Sequence, residues 1–389
     1  MTEPARAVIG QHSAILPSFH GGPADSRFLL AYLNSKFAEE IFQRFVSGTV
    51  QPGVNLEDLR DIPAPVPDKV SQLYIGDKVR QGERLRSWGN ALGKTLSELI
   101  ARFQAPPISR HDLQSKVEPE LLTHMLTAST YRDEYVANQR FLKGDCSATS
   151  LSSYFLTITN GYDERTELDE GLPYVKVADV RPDYIDVARS GRICLSSLVE
   201  ASLNQKPARG DLLITRKGSF GYASVVMEST AFLTSSEVFV CKPKKPELMP
   251  LLSLFLNSPS GQMQFRQFST GTTMPGINQG NLANILIPNF DAVDLAAVAA
   301  AYKSRYWAMR FAQILTEAAK RLVEALIEGQ ITEAQLIDAQ QALEATDDSL
   351  DRAILARLKT DGLDGGGEPL FPDLDQLYDL LERAPEVEA

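Results

Sequence analysis

The chain has 389 residues, a hydrophobic fraction of 43% and a formal net charge of −11. No apolar run reaches the roughly 18 residues that a membrane-crossing helix needs. The opening MTEPARAVIGQHSAILPS lacks a basic-then-apolar leader pattern, so a cytoplasmic protein of two or three domains is expected. Taken in chain order, residues Ser26–Asp68 hold the first copy of a segment that recurs later and end in a proline-bearing strip, IPAPVPD. Residues 1–67 are too short to build a full core alone. Residues 68–104 hold no proline and read as one long helix, followed by a linker, APPIS, within 105–115. A helical stretch, Val117–Phe141, leads into a β-rich region with short apolar runs at Tyr154–Thr159, Leu172–Val177, Asp211–Arg216, Tyr222–Met227 and Glu237–Lys242. A helix over Leu248–Phe268, a glycine-threonine loop and a strand at Ile285–Pro288 complete one mixed α/β domain over residues 116–290. Residues 291–330 form a second long helix. Residues 331–389 are an acidic tail, expected to be helical in part and to carry a flexible joint at Gly365–Gly367.

Part of the chain occurs twice. Ser26–Asp68 and Met249–Asp291 align without a gap at an offset of 223, sharing among others Leu33/Leu256, Asn34/Asn257, Ser35/Ser258, Phe42/Phe265, Asn55/Asn278 and Leu59/Leu282. A period this long marks two copies of a module, not a solenoid. The first copy lacks everything that matches Gln114–Ala223, so it is expected to be completed by another polypeptide or to pack against this chain as a vestige. In the second long helix Phe311, Leu315, Ala318 and Leu322 step by 4, 3 and 4, an a/d seam. The same offset places Trp88, Leu92, Thr95 and Leu99 on the first. Antiparallel pairing of the two helices through Trp88, Leu92, Leu99, Phe311, Leu315 and Leu322 is expected.

Charge is unevenly placed. From Glu328 to Ala389 there are 16 acidic and 4 basic residues, and the rest of the chain balances to +1. Lys206–Arg266 holds 8 basic against 4 acidic residues, a local surface suited to phosphate. Catalytic signatures are missing. GNALGKT (Gly89–Thr95) has one residue too few between its glycines for a phosphate loop and lies within a predicted helix; the four histidines lack metal spacing. Cys146, Cys194 and Cys241 are odd in number and far apart, so no disulfide framework or metal knuckle is expected, and each reads as a buried small hydrophobe. The chemistry-bearing stretches are loops at strand ends: TNGYDER (Thr159–Arg165), TRKGSFGYA (Thr215–Ala223) and STGTTMPGINQGN (Ser269–Asn281). Hydroxyls, backbone N–H groups and Lys/Arg fix a protein on phosphates, while Arg, Lys, Asn and Gln can pair with base edges. On that ground Asn160, Tyr162, Lys176, Arg216, Lys217, Ser219, Thr272, Thr273, Asn278 and Gln279 are the candidate DNA contacts, with turn packing as the plain alternative for Tyr162 and Thr272.

In order, LTITNGYDER, GLPYVKVADV, GDLLITRKGSFGYASVV and LLSLFLNSPSG…FSTGTTMPGINQGNLANILIPNF, with a long helix after each repeat copy, resemble the specificity subunit of type I restriction-modification systems. The resemblance implies a target recognition domain over 116–290, a truncated first one over 1–67, and two spacer helices in antiparallel coiled-coil contact. It implies reading of double-stranded DNA at a bipartite site. It also implies docking of modification (methyltransferase) subunits, which hold S-adenosylmethionine, and of an ATP-using restriction subunit. The chain itself is then a non-catalytic part of a phage-defence complex, without cofactor or metal. Two competing readings remain: the recognition domain of a split DNA methyltransferase or restriction enzyme, and a protein adaptor that does not read DNA.

Overall fold

The computed structural model describes residues 24–46, 53–107, 117–123, 125, 127–182, 184–271 and 274–385. The first copy forms α1 (Ser26–Leu33), α2 (Lys36–Phe45) and α3 (Leu56–Arg60) before the long α4 (Lys69–Ala101). Helical turns at Pro119–Leu121 and Ala128–Tyr131 precede α5 (Asp133–Gly144), so the single helix expected over Val117–Phe141 is broken into pieces. The β-rich region then runs β1 (Thr149–Ser150), β2 (Phe155–Asn160), β3 (Leu172–Val175), β4 (Val180–Arg181), β5 (Tyr184–Ile185), β6 (Gly191–Ile193), α6 (Ser197–Glu200), β7 (Leu212–Thr215), β8 (Ala223–Val225), β9 (Leu233–Thr234) and β10 (Val238–Pro243). The second copy forms α7 (Met249–Asn257), α8 (Pro259–Gln267) and α9 (Gln279–Ala283), then β11 (Leu286–Ile287) and α10 (Ala292–Ile327). The tail holds α11 (Glu333–Glu344), α12 (Ser349–Arg357), the hairpin β12 (Leu358–Lys359) and β13 (Gly362–Leu363), and α13 (Leu374–Arg383).

Shifted by 223 residues, α7, α8 and α9 fall on α1, α2 and α3, and the caps repeat with them. Ser35 and Ser258 accept from the backbone N–H three residues on, opening α2 and α8. Asn55 and Asn278 do the same for α3 and α9. Such a cap is worth about 1 kcal/mol. Ser258 also explains why Leu248–Phe268 is two helices instead of the one expected. It sits before Pro259, which disfavours helical backbone at the preceding residue, and its ψ is 164°.

The chain divides into two compact units, residues 1–90 with 307–389 and residues 91–306, so each long helix contributes to both. In the first unit α4 and α10 run antiparallel. A Cβ on Gly82 would meet Ala312 O at 3.0 Å, and one on Gly89 would meet Met309 Sδ at 2.9 Å. Phe311, Leu315, Ala318 and Leu322 are fully buried, as their spacing requires. The facing stripe on α4 is not the expected one. It runs through Gly82 and Gly89, with Leu85 buried between them; Trp88 is only partly buried. Close approach is bought with glycine, which no hydrophobic count registers. In the second unit the same helix presents Leu96 and Ile100 to a core shared with Val298 and Tyr302, while Leu92 is half-buried, Thr95 is exposed and Leu99 is 39% exposed.

The tail also differs from a tethered segment. Leu336, Ile354, Leu355, Leu358, Leu363, Phe371, Leu377 and Leu380 join the same core as Phe28, Tyr74, Leu85 and Leu315. Lys78 and Asp351, at 0% and 1% side-chain exposure, form an ion pair at 2.6 Å, and the Tyr74 and Tyr378 hydroxyls donate to the same carboxylate. The apolar stripes of α11, α12 and α13 are thus matched by a partner surface.

In the second unit β2-β10-β7-β8 form an antiparallel sheet. Alternate residues serve two cores. Phe239, Cys241, Leu212 and Ile214 face α7 and α8; Val238, Val240 and Leu213 face Val175, Val180 and Phe232. Burial on both faces is why these strands read as unbroken apolar runs. Beside them lies β6-β3-β9, with β3 and β9 parallel. Of the cysteines, Cys241 is buried, Cys146 is half-buried and Cys194 is exposed, so the expectation of three buried thiols fails for Cys194. Among the described residues no helix is long and apolar enough to cross a membrane, and no cluster of His, Cys, Asp or Glu could hold a metal ion. Gly89–Thr95 lies inside α4.

Candidate nucleic-acid interface

Antiparallel pairing brings distant loops together. Phe239 faces Asn160 and Val238 faces Thr215, so the end of β2, the end of β7 and the start of β10 share one end of the sheet. Tyr162 N–H donates to Thr234 O at 2.8 Å, and Ser235 N–H donates to Val175 O at 2.9 Å, which draws in the ends of β9 and β3. Ile277 N–H donates to Arg216 O at 3.0 Å, and Lys217 bridges to Gly276, which draws in the loop before α9. Asn160, Tyr162, Lys176, Arg216, Lys217, Ser219, Asn278 and Gln279 therefore surround one patch. Thr272 and Thr273 lie outside the described residues.

The glycine turn at 215–223 is fixed by stereochemistry. Gly218 and Gly221 have φ of 70° and 88°, and a Cβ on Gly221 would strike the Phe265 ring at 2.8 Å. Thr215 Oγ1 donates to Ser219 O at 2.7 Å, closing the turn. Lys217 and Ser219 at its tip are exposed. Arg216 is half-buried; its guanidinium lies 5.9 Å from the Phe239 ring centroid and donates to Ser236 O at 3.4 Å.

Several candidates already have work to do. Asn278 Oδ1 accepts from Asn281 N–H as the α9 cap, and the Gln279 side-chain amide donates to Ile158 O. The Tyr162 hydroxyl donates to Glu200 Oε2 at 2.8 Å; that hydrogen bond, followed by burial and the charge of Glu200, raises its pKa above the ordinary phenol value. Lys176 pairs with Glu167, and Lys217 Nζ lies 3.2 Å from Glu237 Oε1. Lys242, counted with the basic surface, is turned inward and pairs with Asp211 at 2.5 Å. The patch is therefore polar and mixed in charge.

Sequence reasoning passed over residues that the topology adds here. Ser235, Ser236 and Glu237 connect β9 to β10, and Glu237 Oε2 is buried without a hydrogen-bond partner among the described residues. Arg165, whose side chain is 90% exposed, stands 3.8 Å from Asp163 on the loop after β2. Its place in TNGYDER was the available signal; the β9–β10 turn carried none.

Residues 162–289 match the family model described as the type I restriction modification DNA specificity domain. The match begins at Tyr162 and ends beyond α9, so it holds every described candidate but Asn160. Among solved structures, the chain is similar to the HsdS subunit from Thermoanaerobacter tengcongensis (17% identity, 84% of this chain and 71% of that one, TM-score 0.30). It is similar to the type I restriction-modification system S subunit from M. genitalium (15% identity, 82% and 73%, TM-score 0.37). It is also similar to a chain from a structural study of complex assembly and conformational transition of the type I R-M system (16% identity, 82% and 71%, TM-score 0.32). No curated protein matches.

Proposed function

We propose, from the premise that residues 162–289 are a type I restriction modification DNA specificity domain, that this chain is the DNA-reading subunit of a type I restriction-modification complex. DNA sequence recognition follows from the domain. The finer reading is that residues 116–290 read one half of a bipartite site and that α4 and α10 form its spacer. Modification subunits carrying S-adenosylmethionine and an ATP-using restriction subunit dock on the chain and do the covalent chemistry, in the cytoplasm. This chain catalyses nothing itself. The observation that carries the reading is the convergence of five segments from separate parts of the sequence at one end of the sheet, nearly all within the matched residues.

In this reading Arg216 and Arg165 reach base edges or phosphates, Lys176, Lys217 and Ser219 hold the backbone, and Gly218 and Gly221 set the approach. Anisotropy on random and cognate duplexes at rising salt tests it: phosphate contact makes binding weaken steeply with salt. In the assembled complex Arg216→Ala should relax one base position, with a loss of about 1–3 kcal/mol of discrimination. A methylation motif unchanged by Arg216→Ala removes that residue from the reading; binding that ignores both sequence and salt removes the function.

A further inference from the structure

The two repeat copies keep the same helices but not the same neighbours. In the second copy α7 is clamped to the edge strand β8: Ser253 Oγ donates to Ala223 O at 3.0 Å, Asn257 Nδ2 donates to it at 2.7 Å, and Ala223 N–H donates to Asn257 Oδ1 at 3.0 Å. Ser253, Leu256, Phe265, Leu282 and Ile285 are then at most 1% exposed. Their counterparts in the first copy are Leu30, Leu33, Phe42, Leu59 and Ile62. Leu30 is 44% exposed where Ser253 is sealed, and the other four are only partly buried. Asn34, the counterpart of Asn257, is exposed and donates to Leu30 O of its own helix at 2.8 Å. Leu56, at 66% exposure, stands at the position of Gln279, whose side chain donates to Ile158 O of β2 in the second copy.

The opposite side of α1 is not open. Phe28, Ala31 and Tyr32 are buried in the core that the long helices and the tail share. Among the described residues, the long helices and the tail pack on Phe28, Ala31 and Tyr32 and in part on Leu33 and Phe42, while Leu30 and Asn34, at the positions that meet β8 in the second copy, stay exposed.

We propose that this uncovered side of α1–α3 docks a β-sheet supplied by another polypeptide, of the kind that residues 147–243 form here, with an edge strand that bonds Asn34 as Ala223 bonds Asn257. The repeat names the occupant: the same scaffold, with the same capped helices and the same apolar positions, already holds such a sheet once. A second copy of this chain is the poorer fit, because its own sheet already has α7 and α8 on that face.

The inference does not require that DNA be read, so failure of DNA binding would remove the proposed function and leave it standing. The test uses the full chain with a co-expressed probe, a polypeptide of residues 114–248. For the full chain alone, amides of α1 and α2 should exchange with deuterium at least tenfold faster than those of α7 and α8. With the probe, a one-to-one complex should form, and protection should rise on α1 and α2. Leu30→Glu should abolish the complex while leaving α7 and α8 protected. Four results would each overturn the proposal: no complex; protection gained only on α7–α9, meaning strand exchange; protection of α1 and α2 that rises with the concentration of the chain alone, meaning self-association; or α1 and α2 already as protected as α7 and α8 in the chain alone.

Discussion

Asp351→Asn offers the sharpest test of how the tail is held. Asp351 accepts from Lys78 at 2.6 and 2.8 Å and from Tyr74 at 2.6 Å, with Tyr378 as a further donor. Both members of the ion pair are sealed from water, and Lys78 also sits 4.8 Å from the Tyr74 ring centroid. Asparagine keeps the shape and removes the charge, leaving a buried ammonium uncompensated at a cost of about 3–5 kcal/mol. For a cooperative unit of 150–250 residues, 1 kcal/mol moves the melting temperature by about 2–4 °C, so the transition of the first unit should fall by roughly 6–20 °C. Lys78→Met with Asp351→Asn removes the stranded charge and should recover part of the loss. The pair also sets a pH dependence. Burial alone would push the Asp351 carboxyl up; Lys78 and the hydrogen bonds from Lys78, Tyr378 and Tyr74 outweigh it and hold the group below the ordinary carboxylate value. A group depressed on folding stabilises fully above its unfolded value, about 4, and loses that stabilisation as pH falls through the folded value. The native chain should therefore lose stability below about pH 4 more steeply than Asp351→Asn, which keeps only the contributions of other depressed carboxyls such as Asp361 and Asp364. Differential scanning calorimetry across pH 2–7 reads both effects. A single variant within about 2 °C of the parent, or a double variant less stable than the single, would refute the reasoning.

Three further outcomes are expected. Leu315→Asp with Leu322→Asp puts two unpaired carboxylates into the core of the first unit and should abolish its cooperative unfolding, while circular dichroism retains the β signal of the second; a normal two-unit melt would count against the helix seam. Gly221→Ala should cost about 1–3 kcal/mol by urea unfolding, because φ is 88° and Phe265 blocks the new methyl. Gly218→Ala, with φ of 70° but open space around it, should cost only the backbone strain, about 1–2 kcal/mol; equal losses at the two positions would show that the Phe265 contact does not matter.

The duplication was legible because capping and apolar spacing are local: Ser35, Ser258, Asn55 and Asn278 announce the same helix starts in both copies. The α10 seam was legible for the same reason. The α4 seam was not, since the offset from Phe311 and Leu315 transfers a pattern to a helix whose close approach to α10 is made at Gly82 and Gly89. The helices of the tail were legible from its leucine spacing, but their packing was not, because those leucines needed a receiving surface that only tertiary structure provides. The loop cluster was legible in composition but not in membership. Asn278 and Gln279 turned out to hold backbone, and Arg165 and Glu237 entered through strand register that no local pattern encodes.

The pairing of Lys176 with Glu167 and of Lys217 with Glu237 has a kinetic side. A phosphate arriving at either ammonium must first evict a resident carboxylate, which subtracts up to about 1 kcal/mol from each contact. On the function proposed above, arbitrary duplex would be gripped loosely and released quickly, and only a sequence that adds base-edge contacts would be held. The same two glutamates that blunt the grip would thus shorten the search.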